Sequence, residues 1–244
     1  MAPVDLRRST VFGKYAEEYE RWRPSYAPDA VDWLVPQGAT HVADVGAGTG
    51  KLTGLLLGRG LTVEAVEPDR AMLDVLGRRH PTAHAHQSGA ERLLLSDASM
   101  DAVLVADAWH WFPHEQALQE AGRVLRPDGW LGLVWNRVAP AERWEFELHR
   151  IDPDHSDGDG HPVVPGLAQE SIETATFPWT WDLTPDHWRG YLATHSAVAV
   201  MEDADRAKRL DAAHEVVAAV CEETGRATVA LRYEAFCVRW RRPT

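Results

Sequence analysis

An acid and three glycines stand together where a strand should turn into a helix. Residues 42–50 read Val-Ala-Asp-Val-Gly-Ala-Gly-Thr-Gly, so Gly46, Gly48 and Gly50 alternate behind Asp44, and Lys51-Leu-Thr53 opens a helical pattern. Glycine at such positions lets the chain turn sharply and leaves room for a ligand against the backbone. Asp44, beside that ligand, favours a group of positive charge. A second acid, Glu67, ends the next apolar run, Leu61-Thr-Val-Glu-Ala-Val-Glu67. An acid at the end of a second strand is a common holder of ribose hydroxyls.

The spacing excludes two phosphate sites. A dinucleotide turn reads G-x-G-x-x-G and seats a pyrophosphate on a helix N-terminus. Here the order is G-x-G-x-G, and Asp44 would repel a pyrophosphate. A P-loop needs a hydroxyl residue after its lysine, whereas Lys51 is followed by Leu52. What remains is a nucleoside without phosphates and with a cationic tail. S-adenosylmethionine (SAM), with its sulfonium, ammonium and ribose, meets that description.

Other chemistry-bearing residues lead less far. His80, His84 and His86 follow a helical run into an alternating one, which puts His84 and His86 on one face, but no cysteine completes a ligand set. His155, Asp157, Asp159 and His161 sit in an acidic stretch without the glutamate that closes an EF-hand loop, so no metal is expected there. Cys221 and Cys237 are the only cysteines and form no C-x-x-C pair. That suits a reduced cytoplasmic protein without a disulfide framework.

The elements that must position these residues alternate. Phe12, Tyr15, Tyr19 and Trp22 recur at helical spacing until Arg23-Pro24, and a short helix follows from Pro28 to Leu34. Strands are expected at 41–46, 61–67, 82–87 and 101–106, with helices at 50–59, 69–79 and 114–125. Arg126-Pro-Asp-Gly129 should stop the last of these helices before a strand from Trp130 to Trp135. Strands alternating with helices imply a parallel sheet with right-handed crossovers. The rhythm then breaks. A helix at 142–150, a loop at 152–166, a strand near 173–179, helices near 185–196 and 203–223 and a closing strand from Ala227 to Arg239 suggest one antiparallel edge pair.

Composition sets the outer bounds. The 244 residues suffice for one α/β domain, here 1–244, with residues 1–36 as an N-terminal helical cap and 137–200 as a lid over the ligand face. The first residues lack the apolar segment of a secretion signal, and no run is long enough to span a membrane. A formal net charge of −12 argues against nucleic acid as substrate. The expected partner is a small molecule, and the protein itself is expected as a cytoplasmic monomer or homodimer.

With these elements in order, the chain resembles the class I SAM-dependent methyltransferases over nearly its whole length. The likeness rests on Asp44-Val-Gly-Ala-Gly-Thr-Gly50, Glu67-Pro-Asp69 and Arg123-Val-Leu-Arg-Pro-Asp-Gly129. More narrowly, it is similar to the small-molecule branch that includes the trans-aconitate methyltransferase-like proteins. The tyrosine-rich first helix running into Arg-Pro-Ser-Tyr26 and the segment Ala106-Asp-Ala-Trp-His-Trp111 carry that closer likeness. The resemblance implies a Rossmann-like seven-stranded sheet of order 3-2-1-4-5-7-6 with strand 7 antiparallel. It implies that Gly46, Ala47 and Gly48 pass under the methionine part of SAM, that Asp44 lies near its ammonium and that Glu67 takes the ribose hydroxyls. Pro68, Asp69 and Met72 would border the adenine, with Ala90 and Glu91 at its edge. The chain departs from the branch at Ser88-Gly89, where a small polar residue usually precedes Ala-Glu, and at Asp107, often a glutamine. Asp107, grouped with the cofactor residues, would lie near the sulfonium or the acceptor, as a tuning group or as a solvated loop acid.

Methyl transfer from a sulfonium is an in-line displacement in which the protein supplies approach geometry and excludes water. A base is required only when the acceptor must lose a proton. His110, after strand 4, is the candidate base, or else it orients the acceptor by a hydrogen bond. Of Trp109 and Trp111 on either side, one should face the pocket and the other the core. Tyr19 is the second catalytic candidate. With Tyr15 and Arg23 it could close over SAM and its acceptor, although the tyrosines equally suit helix packing. An arginine near the cleft could pair with an acceptor carboxylate. His195 and Ser196, in the lid, are further acceptor-side candidates.

Competing readings keep the cofactor and change its use. One is attack on another carbon of SAM with release of methylthioadenosine, as in azetidine-type ring closure; another is a non-catalytic SAM-binding protein. A nicotinamide oxidoreductase is disfavoured by the glycine spacing and Asp44.

Overall fold

The computed structural model describes residues 15–152, 164–168 and 171–241. The chain divides into two compact units. The larger comprises Ser25–Asn136, His161–Phe177 and Ala235–Thr244, and the smaller Met1–Pro24, Arg137–Gly160 and Pro178–Glu234.

In the larger unit, helix α1 is the short Pro28–Leu34 segment, begun by a proline whose missing N–H costs a first turn nothing. Strand β1 (His41–Val45) is buried beyond its first residue because it pairs in parallel with both β2 (Thr62–Val66) and β4 (Met100–Ala106). A strand enclosed in this way is built from apolar residues on both faces. Helix α2 (Lys51–Leu57) connects β1 to β2, and α3 (Arg70–Arg79) connects β2 to the three-residue β3 (His84–His86). Asp69 caps α3, its carboxylate accepting from Ala71 N at 2.8 Å and Met72 N at 3.2 Å. Helix α4 (His114–Val124) leads into β5 (Leu125–Val138), parallel to β4. The core joins Val45, Val66, Val103, Val105, Trp109, Leu133 and Phe236.

In the smaller unit, α5 (Ala16–Trp22), α6 (Arg143–Ile151), α7 (Pro185–Ala193), the single turn α8 (Ser196–Ala199) and the long α9 (Asp203–Thr224) enclose a second core. Its members include Leu148, Trp188, Tyr191, Leu192, Val217, Leu231 and Tyr233. Gly225, in the left-handed conformation (φ 64°), ends α9. Strands β6 (Ile172–Leu183) and β7 (Val229–Arg241) have residues in both units. The sheet order is β3-β2-β1-β4-β5-β7-β6, with β7 antiparallel, as the sequence implied.

Several boundaries differ from expectation. Strand β3 is shorter than 82–87, β6 is longer than 173–179, and β7 keeps its expected length but runs from Val229 to Arg241. The helix expected over 185–196 stops at Ala193 and restarts at Ser196. The larger correction concerns β5, which begins at Leu125, so Arg126-Pro-Asp-Gly129 lies within it. Met100 pairs with Leu125 and Ala102 with Trp130, so the motif forms an outward irregularity opposite Asp101. Arg126 donates to the Asp101 carboxylate, and a Cβ on Gly129 would stand 2.8 Å from the Asp101 carbonyl oxygen. The same carboxylate accepts from Thr40 N at 2.8 Å and His41 N at 2.9 Å, fixing the start of β1.

His84 and His86 share a face, and both reach Glu64 of β2, at 2.9 and 2.5 Å. Among the described residues no group of three or more His, Cys, Asp or Glu is arranged to hold a metal ion, and no helix is long and apolar enough to cross a membrane. The His155–His161 stretch lies outside the described residues, as does Phe12.

Burial alone would raise the Asp101 pKa, but the Thr40 and His41 N–H groups and the Arg126 guanidinium outweigh it and hold it down to about 2. A depressed carboxylate stabilises the fold above its unfolded pKa, and that contribution is lost as pH falls through the folded value. Asp101→Asn should therefore lower unfolding stability at pH 7 by about 1–3 kcal/mol. In urea titrations the deficit should shrink between pH 4 and pH 2.

Candidate functional site

The acids and glycines singled out by the sequence meet at the carboxyl ends of β1 and β2. Val66 O accepts from Gly46 N at 2.8 Å and Ala47 N at 3.0 Å, which ties the turn after β1 to the end of β2. Gly46, Gly48 and Gly50 all have positive φ, at 72°, 55° and 93°. A Cβ on Gly46 would stand 2.7 Å from Ala108 Cβ, and one on Gly50 would be 2.6 Å from the His80 ring. At Gly48 it would meet nothing within 4 Å. Thus Gly46 and Gly50 are required by packing, whereas Gly48 borders open space.

The Glu67 carboxylate spans the two turns. One oxygen accepts from Gly48 N and the other from Asp69 N, both at 2.9 Å. Burial raises its pKa despite these bonds. Asp44 is 1% exposed. Its Oδ2 accepts from the Thr53 hydroxyl at 2.6 Å, and its Oδ1 is buried without a hydrogen-bond partner among the described residues. Burial pushes its pKa up to about 7; the Thr53 bonds oppose this and the nearby Glu67 adds to it. A buried carboxylate with an unsatisfied oxygen suits an ammonium group, directly or through water. These residues can therefore hold a nucleoside with a cationic tail: Asp44 for the cation, Glu67 for ribose hydroxyls and Gly48 for close backbone approach.

The remaining cofactor-side candidates lie in the same unit. Met72 and Ala90 are buried, Pro68 and Glu91 exposed. Glu91 folds back over Gly89, where a Cβ would stand 2.3 Å from its carboxylate. Asp107 follows β4 with φ 49°. Its Oδ2 accepts from the Tyr26 hydroxyl at 3.1 Å, and its Oδ1 from Asn136 N at 3.3 Å.

The short 3-10 helix Trp109–Trp111 sorts its aromatics. His110 is exposed and lies tilted against Trp111, 4.8 Å between ring centroids. Trp109 is 2% exposed, packs in the core against Phe112 and donates to Pro165 O at 3.2 Å. Of the two tryptophans considered for the acceptor side, Trp109 is therefore the core residue and does not line a pocket, whereas Trp111 is half-buried.

The acceptor-side candidates from the chain's other segments belong to the smaller unit. The Arg23 guanidinium lies 5.0 Å from the ring centroids of both Tyr19 and Tyr191. It also donates to Thr194 Oγ1 at 2.9 Å and Thr194 O at 3.3 Å. That cation is thus taken up by the protein's own groups, a different use from the acceptor-carboxylate pairing that the sequence suggested. His195, 4% exposed, pairs through Nδ1 with Asp152 Oδ1 at 2.9 Å and stands edge-on to Tyr191 at 4.6 Å. Ser196 is buried at the start of α8, and Tyr15 is exposed ahead of α5.

Thr53, Tyr26 and Asn136 were missed as site residues. Thr53 stands one turn into the helix behind the glycines and carries a hydroxyl at a buried position, a signal that the sequence offers. The Tyr26 and Asn136 contacts join residues 81 and 29 positions from Asp107, and no local pattern announces them.

The chain is similar to known proteins in sequence and in fold. Residues 43–133 match the methyltransferase domain family. An uncharacterized methyltransferase of Mycobacterium tuberculosis is 42% identical over 241 residues, 95% of each chain. A methyltransferase-like protein of Schizosaccharomyces pombe is 28% identical over 84% of each chain. Among solved structures, a protein of Anaeromyxobacter dehalogenans assigned as a type II methyltransferase superposes with a TM-score of 0.62 at 26% identity, covering 90% of this chain and 97% of the other. The chain belongs to the class I SAM-dependent methyltransferases. Its cofactor is accordingly S-adenosylmethionine.

A carboxylate whose folded pKa is raised keeps a proton that the unfolded chain has released, so it costs stability as pH climbs from about 4 to about 7 and thereafter by a constant amount. In the absence of SAM, Asp44→Asn should therefore be more stable than the parent at pH 8, by about 4 kcal/mol at most. Urea midpoints should converge below pH 4; a gain that persists there would mean that Asp44 is not the source.

Proposed function

We propose that this enzyme methylates a small-molecule acceptor, with SAM held across the turns after β1 and β2. The observation that carries the proposal is the Glu67 carboxylate, fixed at 2.9 Å from both Gly48 N and Asp69 N and therefore aimed before any ligand arrives. An acid so placed takes the two ribose hydroxyls without reorganising, which favours binding. Asp44 receives the ammonium, and Gly46, Ala47 and Gly48 run beneath the methionine part. Met72 and Pro68 border the adenine, with Ala90 and Glu91 at its edge. The cofactor supplies an activated methyl group; the chain supplies alignment and a dry approach.

His110 is the general base or orienting donor for an acceptor that must lose a proton, and Trp111 covers it. Both side chains are accessible enough to meet a ligand, which Trp109 is not. Residues 137–200 are the region that selects the acceptor. The reaction proceeds without a metal and acts on neither nucleic acid nor membrane.

Ionised Asp44 is the form that binds an ammonium, so SAM affinity should fall as pH drops below about 7. Glu67→Ala should weaken SAM binding by about 1–3 kcal/mol, from the lost charge-assisted bonds; calorimetric affinity equal to the parent's would displace the ribose from this site. The deciding assay is mass spectrometry of the protein incubated with SAM, alone and with panels of carboxylic acids, phenols, alcohols and amines. S-adenosylhomocysteine formed only with an acceptor supports methyl transfer. Methylthioadenosine formed from SAM alone overturns it.

A further inference from the structure

We propose that Thr53 is the positioning residue of the cofactor site: its hydroxyl holds the Asp44 carboxylate in the charged form, leaves Oδ1 for the ammonium of the ligand, and so sets the pH at which the enzyme loads SAM. The inference rests on the placement of SAM given above and adds what keeps the acid beside its amino group charged.

Thr53 lies in the first turn of α2 and is 0% exposed, so its hydroxyl cannot turn to solvent. A threonine within a helix commonly returns its hydroxyl to a carbonyl three or four residues back. Here it donates to Asp44 Oδ2 at 2.6 Å. A short bond to a carboxylate is charge-assisted and about twice as strong as a neutral one. With Oδ2 engaged, the carboxylate is fixed in orientation, and Oδ1 is left buried without a hydrogen-bond partner among the described residues. A buried oxygen in that state marks the place of a donor that the fold itself does not supply. The helix that carries Thr53 is closely seated. Leu52 and Leu56 are buried, and a Cβ on Gly50 or Gly54 would stand 2.6 Å from the His80 ring.

The surroundings of Asp44 make that hydroxyl decisive. Its strand partners, Ala65 of β2 and Leu104 of β4, are apolar. The titratable or charged groups at this end of the packed elements are Glu67 and Asp69 beyond β2, Asp107 and His110 beyond β4, Lys51 at the start of α2 and His80 against Gly50 and Gly54. Burial is the main cause that pushes the Asp44 pKa up, and the charge of Glu67 adds to it. The groups that pull it back, to about 7, are the hydroxyl and the backbone N–H of Thr53. Loss of the hydroxyl alone moves the pKa further up and leaves the acid protonated at neutral pH. A protonated acid offers an ammonium no charge to pair with, so the affinity for the cofactor falls on the acid side of a higher pH.

The test is calorimetric titration of two ligands between about pH 6 and pH 8.5. S-adenosylhomocysteine carries the amino-acid tail, and 5′-methylthioadenosine lacks it. Both would be titrated into the full chain, Thr53→Val, Thr53→Ala and Thr53→Ser. Valine keeps the branched shape of threonine and removes the hydroxyl. Thr53→Val and Thr53→Ala should bind S-adenosylhomocysteine roughly tenfold more weakly at pH 7, and the acid limb of their affinity profile should lie about one pH unit above the parent's. Thr53→Ser should restore the parent's profile, and methylthioadenosine should bind all four proteins alike. An acid limb that stays in place, with both ligands still bound, overturns the inference and leaves the cofactor site standing. An equal loss of both ligands also overturns it, because Thr53 would then act through packing alone. Failure of both ligands to bind the parent removes the cofactor site and the inference together.

Discussion

Two loops that follow adjacent parallel strands are locked to one another, and the candidate site takes its shape from that lock. The carbonyl of Val66 receives the N–H groups of Gly46 and Ala47, and the next residue, Glu67, sends its carboxylate back to Gly48 and forward to Asp69. Asp69 then caps α3. A short run of backbone and carboxylate contacts thus fixes the glycine turn, the acid beside it and the start of the following helix. The sheet supplies the reason these loops meet, because β1 lies between β2 and β4. Removing the Glu67 carboxylate would free both the glycine turn and the Asp69 N–H.

Three acids, Asp44, Glu67 and Asp107, stand at the carboxyl ends of β1, β2 and β4, and each is handled differently. Glu67 is stabilised by backbone N–H groups, Asp107 by contacts that include the Tyr26 phenol and the Asn136 N–H, and Asp44 by the hydroxyl and backbone N–H of Thr53. Asp44 is the most deeply buried of the three, and burial pushes its pKa up to about 7. A proton can occupy Asp44 near pH 7 until a cation replaces it. Polar side chains of the smaller unit are treated in the opposite way. There Arg23 is sandwiched by two tyrosine rings and bonded to Thr194, and His195 is paired with Asp152. Cation–π contact and paired burial make these groups a means of joining α5 to the α7–α8 corner.

The sequence made the parallel half of the fold legible because its signals are local. Alternating glycines, an acid at a strand end and apolar runs of strand length placed β1, β2 and β4 within a residue or so. It misread Arg126-Pro-Asp-Gly129 as a break, since proline and glycine mark turns. The structure keeps those residues in the strand and accommodates them opposite Asp101, a partner 25 positions from Arg126. Trp109 and Trp111 could not be told apart from a three-residue segment whose helical type was unknown. Arg23 looked accessible because its partners, Tyr191 and Thr194, are more than 160 residues away. Contacts of that span have no signature in periodicity.

Neither unit is continuous in the chain: each is assembled from three segments. Residues 25–136 carry β1 to β4 and most of β5, and their parallel pairings, such as His41 with Thr62 and Val42 with Ala102, all lie within that one stretch of chain. Yet the larger core also contains Phe236 and Val238 from β7, and the smaller one contains Leu231 and Tyr233 from the same strand. During synthesis the parallel sheet can therefore assemble while its flank stays uncovered, and both cores wait for one late strand. A ribosome-bound chain that has not yet emitted residues 229–241 exposes apolar surface of both units at once, which makes that interval the one in which chaperones have the most to bind.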